Sequence, residues 1–128
     1  MTIAALDIGL KRIGIALCLD NKIVMPQTPI MRKNRLQASV DVDTFLKEWE
    51  VETIVVGLPL NEEMKRRIQH FISLLKYKCE AIFIDEDFSS CDAKEMAKGV
   101  FKQKRDGKID SVAAAVILDR YLCTLKSF

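Results

Sequence analysis

The residues best suited to chemistry are carboxylates set where apolar runs end: Asp7, the consecutive Asp85-Glu86-Asp87, and Asp110. A carboxylate at the end of a buried strand is costly unless a cation or a set of hydrogen-bond donors meets it. Three such groups drawn together repel one another and resist desolvation, so the cluster makes physical sense chiefly when divalent cations occupy it. Histidine and cysteine add little. His70 is the one histidine, and Cys18, Cys79, Cys91 and Cys123 lack C-x-x-C spacing, which excludes a recognisable zinc site and a histidine-dependent triad within the chain. Oxygen ligands alone point to Mg²⁺ or Mn²⁺. A pair of such ions, roughly 3.5–4 Å apart in two-metal enzymes, activates a water and stabilises the leaving oxygen of a phosphodiester with no protein nucleophile. Plainer roles compete. Asp7 also suits a turn, and Asp110 directly before Ser-Val-Ala is a good helix N-cap.

These groups need elements to carry them. Ile3–Leu17 holds two short apolar runs around Asp7-Ile8-Gly9-Leu10-Lys11-Arg12, which predicts a strand hairpin with Asp7 at the end of its first strand. Gly9 and Gly14 permit close backbone approach there. Lys22-Ile23-Val24-Met25 begins a third strand that Pro26 and Pro29 confine to an edge. Leu36, Val40, Val42, Phe45, Leu46 and Trp49 fall on helical spacing and predict a helix from about Arg35 to Trp49 that covers one face of the sheet.

Glu52–Pro59 is β-branched and apolar, as a central strand is. A helix follows, capped by Asn61, with Glu62 and Glu63 at its positive end and a stripe of Met64, Ile68, Phe71, Ile72 and Leu75. His70 lies off that stripe. Glu80–Ile84 forms the next strand and runs into the three acids; a further helix is expected from Ser89 or Ser90 through Phe101. The last element, about Asp110 through Leu125, is apolar nearly all round and predicts a helix packed deep in the domain, which can deliver Asp110 to the same sheet edge as Asp7.

At 128 residues the chain suits a single domain, 1–128, with an α/β fold built on a mixed sheet covered by helices. Its net charge of +2 gives no strong overall field for polyanions. Affinity for nucleic acid must come from local patches: Lys11 and Arg12 beside Asp7, and Lys104, Arg105 and Lys108 in the loop before Asp110. Lys65-Arg66-Arg67 reads first as a solvated helix face. No stretch suits a signal peptide or a membrane span, so the reading is cytoplasmic, with reduced thiols and no membrane partner.

Four segments in order resemble the motifs of the bacterial YqgF family: Asp7-Ile8-Gly9-Leu10-Lys11-Arg12-Ile13-Gly14-Ile15-Ala16, Val55–Asn61, Asp85–Ser90 and Lys108–Ala114. The resemblance spans nearly the whole chain, and its opening motif, D-x-G-x-K-R-I-G-x-A, is highly specific. It implies a ribonuclease-H-like fold with a five-stranded mixed sheet, related to the RuvC resolvases. It also implies a metal-dependent endonuclease that matures the 5′ end of small-subunit (16S) ribosomal RNA. Structured RNA in a ribosomal precursor particle is then the partner. Family members are also described as Holliday junction resolvases, which makes branched DNA the alternative substrate.

Strand-end placement alone does not choose among Asp85, Glu86 and Asp87. By motif, Asp7, Glu86 and Asp110 match the family's acidic triad and its metal ligands, expected to hold two ions of Mg²⁺ or Mn²⁺. Two departures stand out. Asp87 occupies the place of the family's arginine, which raises a second reading: a nucleic-acid-binding protein of the same fold with weak catalysis. The family's glycine shortly after Pro-Leu-Asn is also absent, because Glu62-Glu63-Met64-Lys65 runs straight into a helix. An actin-like or sugar-kinase-like ATPase also opens with D-x-G and a hairpin, but needs two lobes to enclose a nucleotide.

Overall fold

The computed structural model describes residues 2–20, 23–85 and 111–126. Strands β1 (Ile3–Ile8), β2 (Arg12–Cys18), β3 (Met25–Met31), β4 (Thr53–Leu58) and β5 (Glu80–Asp85) form one sheet in the order β3-β2-β1-β4-β5. β1 and β2 are the predicted antiparallel hairpin, while β1, β4 and β5 run parallel. Helices α1 (Arg35–Glu48) and α2 (Glu62–Ser73) supply the connections between β3, β4 and β5, and α3 (Val112–Lys126) closes the described chain. The helix expected from Ser89 or Ser90 through Phe101 lies outside the described residues.

Strand alternation divides the core in two. Ala4, Leu6, Ile8, Ile13, Ile15, Leu17, Ile54 and Val56 face α1 and α2, where Ala38, Val42, Leu46, Ile68 and Phe71 meet them. Ile3, Ala5, Ala16, Cys18 and Val55 face α3, against Ala114, Ala115, Ile117, Leu118 and Leu122. The sheet is therefore covered on both sides, which explains why β1, β2 and β4 read as unbroken apolar runs.

The third strand, Met25–Met31, contains both prolines and stands at the edge of the sheet, as they predict. An edge strand tolerates this, because half of its backbone groups face outward and require no donor. The helix α1 buries a narrower stripe than its sequence suggests: Val42 and Leu46 are inside, whereas Leu36 is 71% and Val40 53% exposed. Ala38 and Ser39, small residues that periodicity overlooks, take the inner positions and let the helix approach closely. The N-cap of α1 is a capping box, in which the Asn34 side chain accepts from the Gln37 N–H at 2.7 Å. Asn61 caps α2 by accepting from the Met64 N–H at 3.0 Å, as predicted.

The C-terminus of α1 ends in a Schellman arrangement: the Val51 N–H donates to Leu46 O at 3.0 Å and the Glu50 N–H to Lys47 O at 3.2 Å. Glu50 takes a φ of 49° there, a left-handed conformation that strains a residue with a Cβ. Glu50→Gly is accordingly expected to stabilise the protein by about 1 kcal/mol, read as a higher urea midpoint at unchanged slope. A lower midpoint would show that the glutamate side chain contributes more than its backbone costs.

Candidate active site

Asp7 occupies the carboxyl end of β1, partly buried, on the face that α3 covers. Its cross-strand partner on β2 is Gly14. On the other side, the register pairing Leu6 with Val56 brings Gly57 next along β4. Asp7 thus has a glycine directly across from it on each flank. Among the described residues that carboxylate has neither a hydrogen-bond donor nor an ion-pair partner. Such a group, half out of water and uncompensated, suits a bound cation.

The turn that follows is tightly built. The Gly9 N–H donates to Arg12 O at 3.0 Å, and a Cβ on Gly9 would meet that same oxygen at 2.9 Å, so the position requires glycine for space rather than for φ. Arg32, just past β3, holds the turn from the other side. Its backbone N–H donates to Lys11 O at 2.9 Å, its guanidinium donates to Gly9 O at 2.6 Å, and the guanidinium carbon lies 5.2 Å from the centre of the Phe71 ring. Burial first, and the nearby charge of Arg35 second, lower the affinity of Arg32 for its proton. Nothing in local sequence marks Arg32 for this role, since its partners lie in a hairpin some twenty residues earlier and in α2.

Lys11 and Arg12 are exposed beside Asp7, as expected. Arg12 shares the parity of Gly14 and therefore the α3 face of the sheet, while Lys11 stands in the turn. Asp85 does not join Asp7. It pairs with Leu58 and continues the series Ala81 and Phe83, whose partners Ile54 and Val56 face α1 and α2, so it belongs to the opposite face. Glu86, Asp110, Lys104, Arg105 and Lys108 lie outside the described residues, and the described ones alone form no cluster of three or more metal-binding side chains.

The start of α3 is tied to the Asp7 end of the sheet by Ser111, which is fully buried. The β2–β3 register slips between Ile13 and Ile15, with an extra residue on β3 where Pro29 has no N–H to offer. Ser111 fills the gap. The Ile15 N–H donates to its Oγ at 3.0 Å, and its hydroxyl donates to Gln27 O at 2.6 Å. Ile15 is next to Gly14, the partner of Asp7, so this hydroxyl anchors the helix beside the carboxylate. In the sequence Ser111 stands out only as part of the Lys108–Ala114 motif. Its polar side chain just ahead of an all-apolar helix was the available signal.

Among the described cysteines none is set up as a nucleophile. Burial, and then the Asp43 carboxylate, push the Cys79 thiol up, away from the reactive thiolate. His70 is exposed on α2, as expected.

Comparison with known proteins identifies the family and the fold. The family model for RuvX, described as Holliday junction resolvase, matches residues 1–124. A protein of Sulfurovum sp. (strain NBC37-1) named "Putative pre-16S rRNA nuclease" is 59% identical over 126 residues, covering 95% of this chain and 98% of that protein. One of the same name from Campylobacter lari is 51% identical, covering 92% and 94%. Among solved structures, T. thermophilus RuvC in complex with Holliday junction substrate superposes with a TM-score of 0.68 at 12% identity, covering 99% of this chain and 96% of that one. The Fowlpox virus resolvase with Holliday junction DNA gives 0.64 at 18%, covering 98% and 99%. These likenesses establish the ribonuclease-H-like fold that the motifs implied. Matched by its model over nearly the full length, the chain belongs to the RuvX family, the YqgF family of the sequence resemblance.

Proposed function

We propose that the protein is a single-domain, metal-dependent endonuclease of the cytoplasm that hydrolyses phosphodiester bonds in the 5′-end maturation of 16S ribosomal RNA precursor. The observation that carries this reading is Asp7: a partly buried carboxylate without a partner among the described residues, at the carboxyl end of a parallel strand with a glycine on each side. In open α/β sheets such ends gather the functional groups. The relatives named as pre-16S ribosomal RNA nucleases supply the substrate class.

Asp7, Glu86 and Asp110 are the proposed catalytic groups and metal ligands. Asp85 belongs to the wrong face, which leaves its neighbours, and the family motif selects Glu86. Asp110 directly precedes Ser111, whose hydroxyl is bonded one residue from the glycine opposite Asp7. An all-oxygen donor set of this kind fits Mg²⁺ or Mn²⁺, and two such ions would supply an activated water and stabilise the departing oxygen. Lys11 and Arg12, with Lys104, Arg105 and Lys108, hold the substrate backbone through its phosphates.

The test is cleavage of a ribosomal RNA precursor by the purified protein. Cleavage is expected with Mg²⁺ or Mn²⁺ and none in excess chelator; activity that survives chelation would sink the proposal. The family description favours a second substrate, branched DNA, so a four-way junction belongs in the same assay. Preferential cutting of the junction would replace the RNA reading with a resolvase.

A further inference from the structure

A second charged site lies across the β1–β2 turn from Asp7, on the sheet face that carries α1 and α2. Here Arg32 from the loop after β3, Arg35 from the start of α1 and Arg67 from α2 line one small cleft together with Gly9, Leu10 and Met64. Among the described residues no carboxylate lines it. Glu63 engages one of the three, its Oε1 accepting from Arg67 at 2.9 Å on the exposed side of α2. Arg32 spends one of its donors on Gly9 O, but a guanidinium has five.

Two features argue that this concentration of charge awaits an anion. First, Arg32 is partly buried, and both that burial and the nearby Arg35 disfavour its charge. Second, Arg35 is the first residue of α1, whose first turn holds no acid, whereas the first turn of α2 holds Glu62 and Glu63. A cation at the positive end of a helix dipole is misplaced unless something negative joins it. Planar guanidinium forks converging from several sides match the oxygens of a phosphate.

We propose that the Arg32–Arg35–Arg67 cleft is a phosphate-binding site that holds a backbone phosphate of the nucleic-acid substrate on the far side of the β1–β2 turn from the reacting bond. The inference rests on the nuclease reading above and extends it, since none of these three residues belongs to the acidic triad or to the Lys11–Arg12 pair. Arg32 braces the turn and so links the two sides. Arg35 and Arg67 are exposed and can be changed without disturbing the core.

The experiment measures binding of a precursor RNA helix and of a four-way DNA junction by fluorescence anisotropy, in chelator so that nothing is cut, over a range of salt. Wild type is compared with Arg35→Gln/Arg67→Gln and with the control Lys47→Gln/Lys76→Gln, which removes equal charge at a distant surface. Losing one phosphate contact lowers the salt slope by about 0.9 on duplex DNA. The arginine double variant is expected to bind the true substrate at least about tenfold more weakly at low salt, with a slope shallower by about one. The lysine control should lie close to wild type. Equal affinities and slopes for the two double variants would overturn the cleft. So would failure of the wild-type protein to bind either nucleic acid. A separate Mg²⁺ cleavage assay on wild type keeps the two claims apart: absent cleavage with the arginine-dependent slope intact removes the nuclease reading and leaves the phosphate site.

Discussion

Asp7→Asn is expected to abolish cleavage, by at least about a thousandfold in single-turnover rate, while leaving the fold as stable as before or more so. The size follows from the chemistry assigned to the site. A metal centre contributes several kcal/mol of charge stabilisation to phosphodiester hydrolysis, and each 1.36 kcal/mol is a factor of about ten. The sign of the stability effect follows from the geometry: Asp7 is partly buried without a hydrogen-bond donor or cation among the described residues, so neutralising it removes an electrostatic cost and breaks no bond. Thermal melts provide a readout independent of turnover. Wild type should be stabilised by added Mg²⁺ or Mn²⁺, by about 2.7 kcal/mol when the ion is at a hundred times its Kd, and Asp7→Asn should lose most of that response. A variant that still cleaves, or that melts far below wild type in chelator, would mean that Asp7 serves the fold rather than the reaction.

Ser111→Ala should have the largest effect on stability. The hydroxyl stands between the Ile15 N–H and Gln27 O at a break in the β2–β3 ladder, and its removal leaves a buried donor and a part-buried acceptor without that partner. Each orphaned group costs about 1–3 kcal/mol, so a loss of about 2–4 kcal/mol is expected, and a melting temperature lower by roughly 10 °C. Ser39 offers an internal comparison. It is buried too, but its Oγ only donates to Leu36 O within its own helix, at 2.8 Å. Ser39→Ala strands no group and improves helix propensity, so its urea midpoint should stay within about 0.5 kcal/mol of wild type. Similar losses from the two substitutions would show that the hydroxyl bridge contributes nothing specific.

Local sequence carried much of the fold. The hairpin, the central strand, the cap of α2 and the apolar α3 all follow from short-range rules: apolar runs bounded by glycine, Asn at an N-cap, a stripe at helical spacing. Errors arose where spacing counted residues that the helix leaves outside. Leu36 and Val40 have the right period, yet the sheet accepts a helix only through the small side chains at Ala38 and Ser39, and that preference depends on what lies opposite. Pro26 and Pro29 placed β3 correctly at an edge of the sheet, because that rule needs only their missing N–H groups.

Within the site, the identity of Asp7 and its place at the end of β1 were determined by sequence alone, as were the motifs that mark the family, because both depend on residues close together along the chain. The faces were decided only in three dimensions. Asp85 stands apart from Asp7 because register with β4, set by burial on both sides of the sheet, points the two carboxylates to opposite layers. The Ser111 bridge, which spans 96 residues to Ile15, and the three-arginine cleft arise from the order in which strands and helices assemble. No periodicity or motif encodes such convergence, since it is the packing of the whole core that chooses which distant side chains meet.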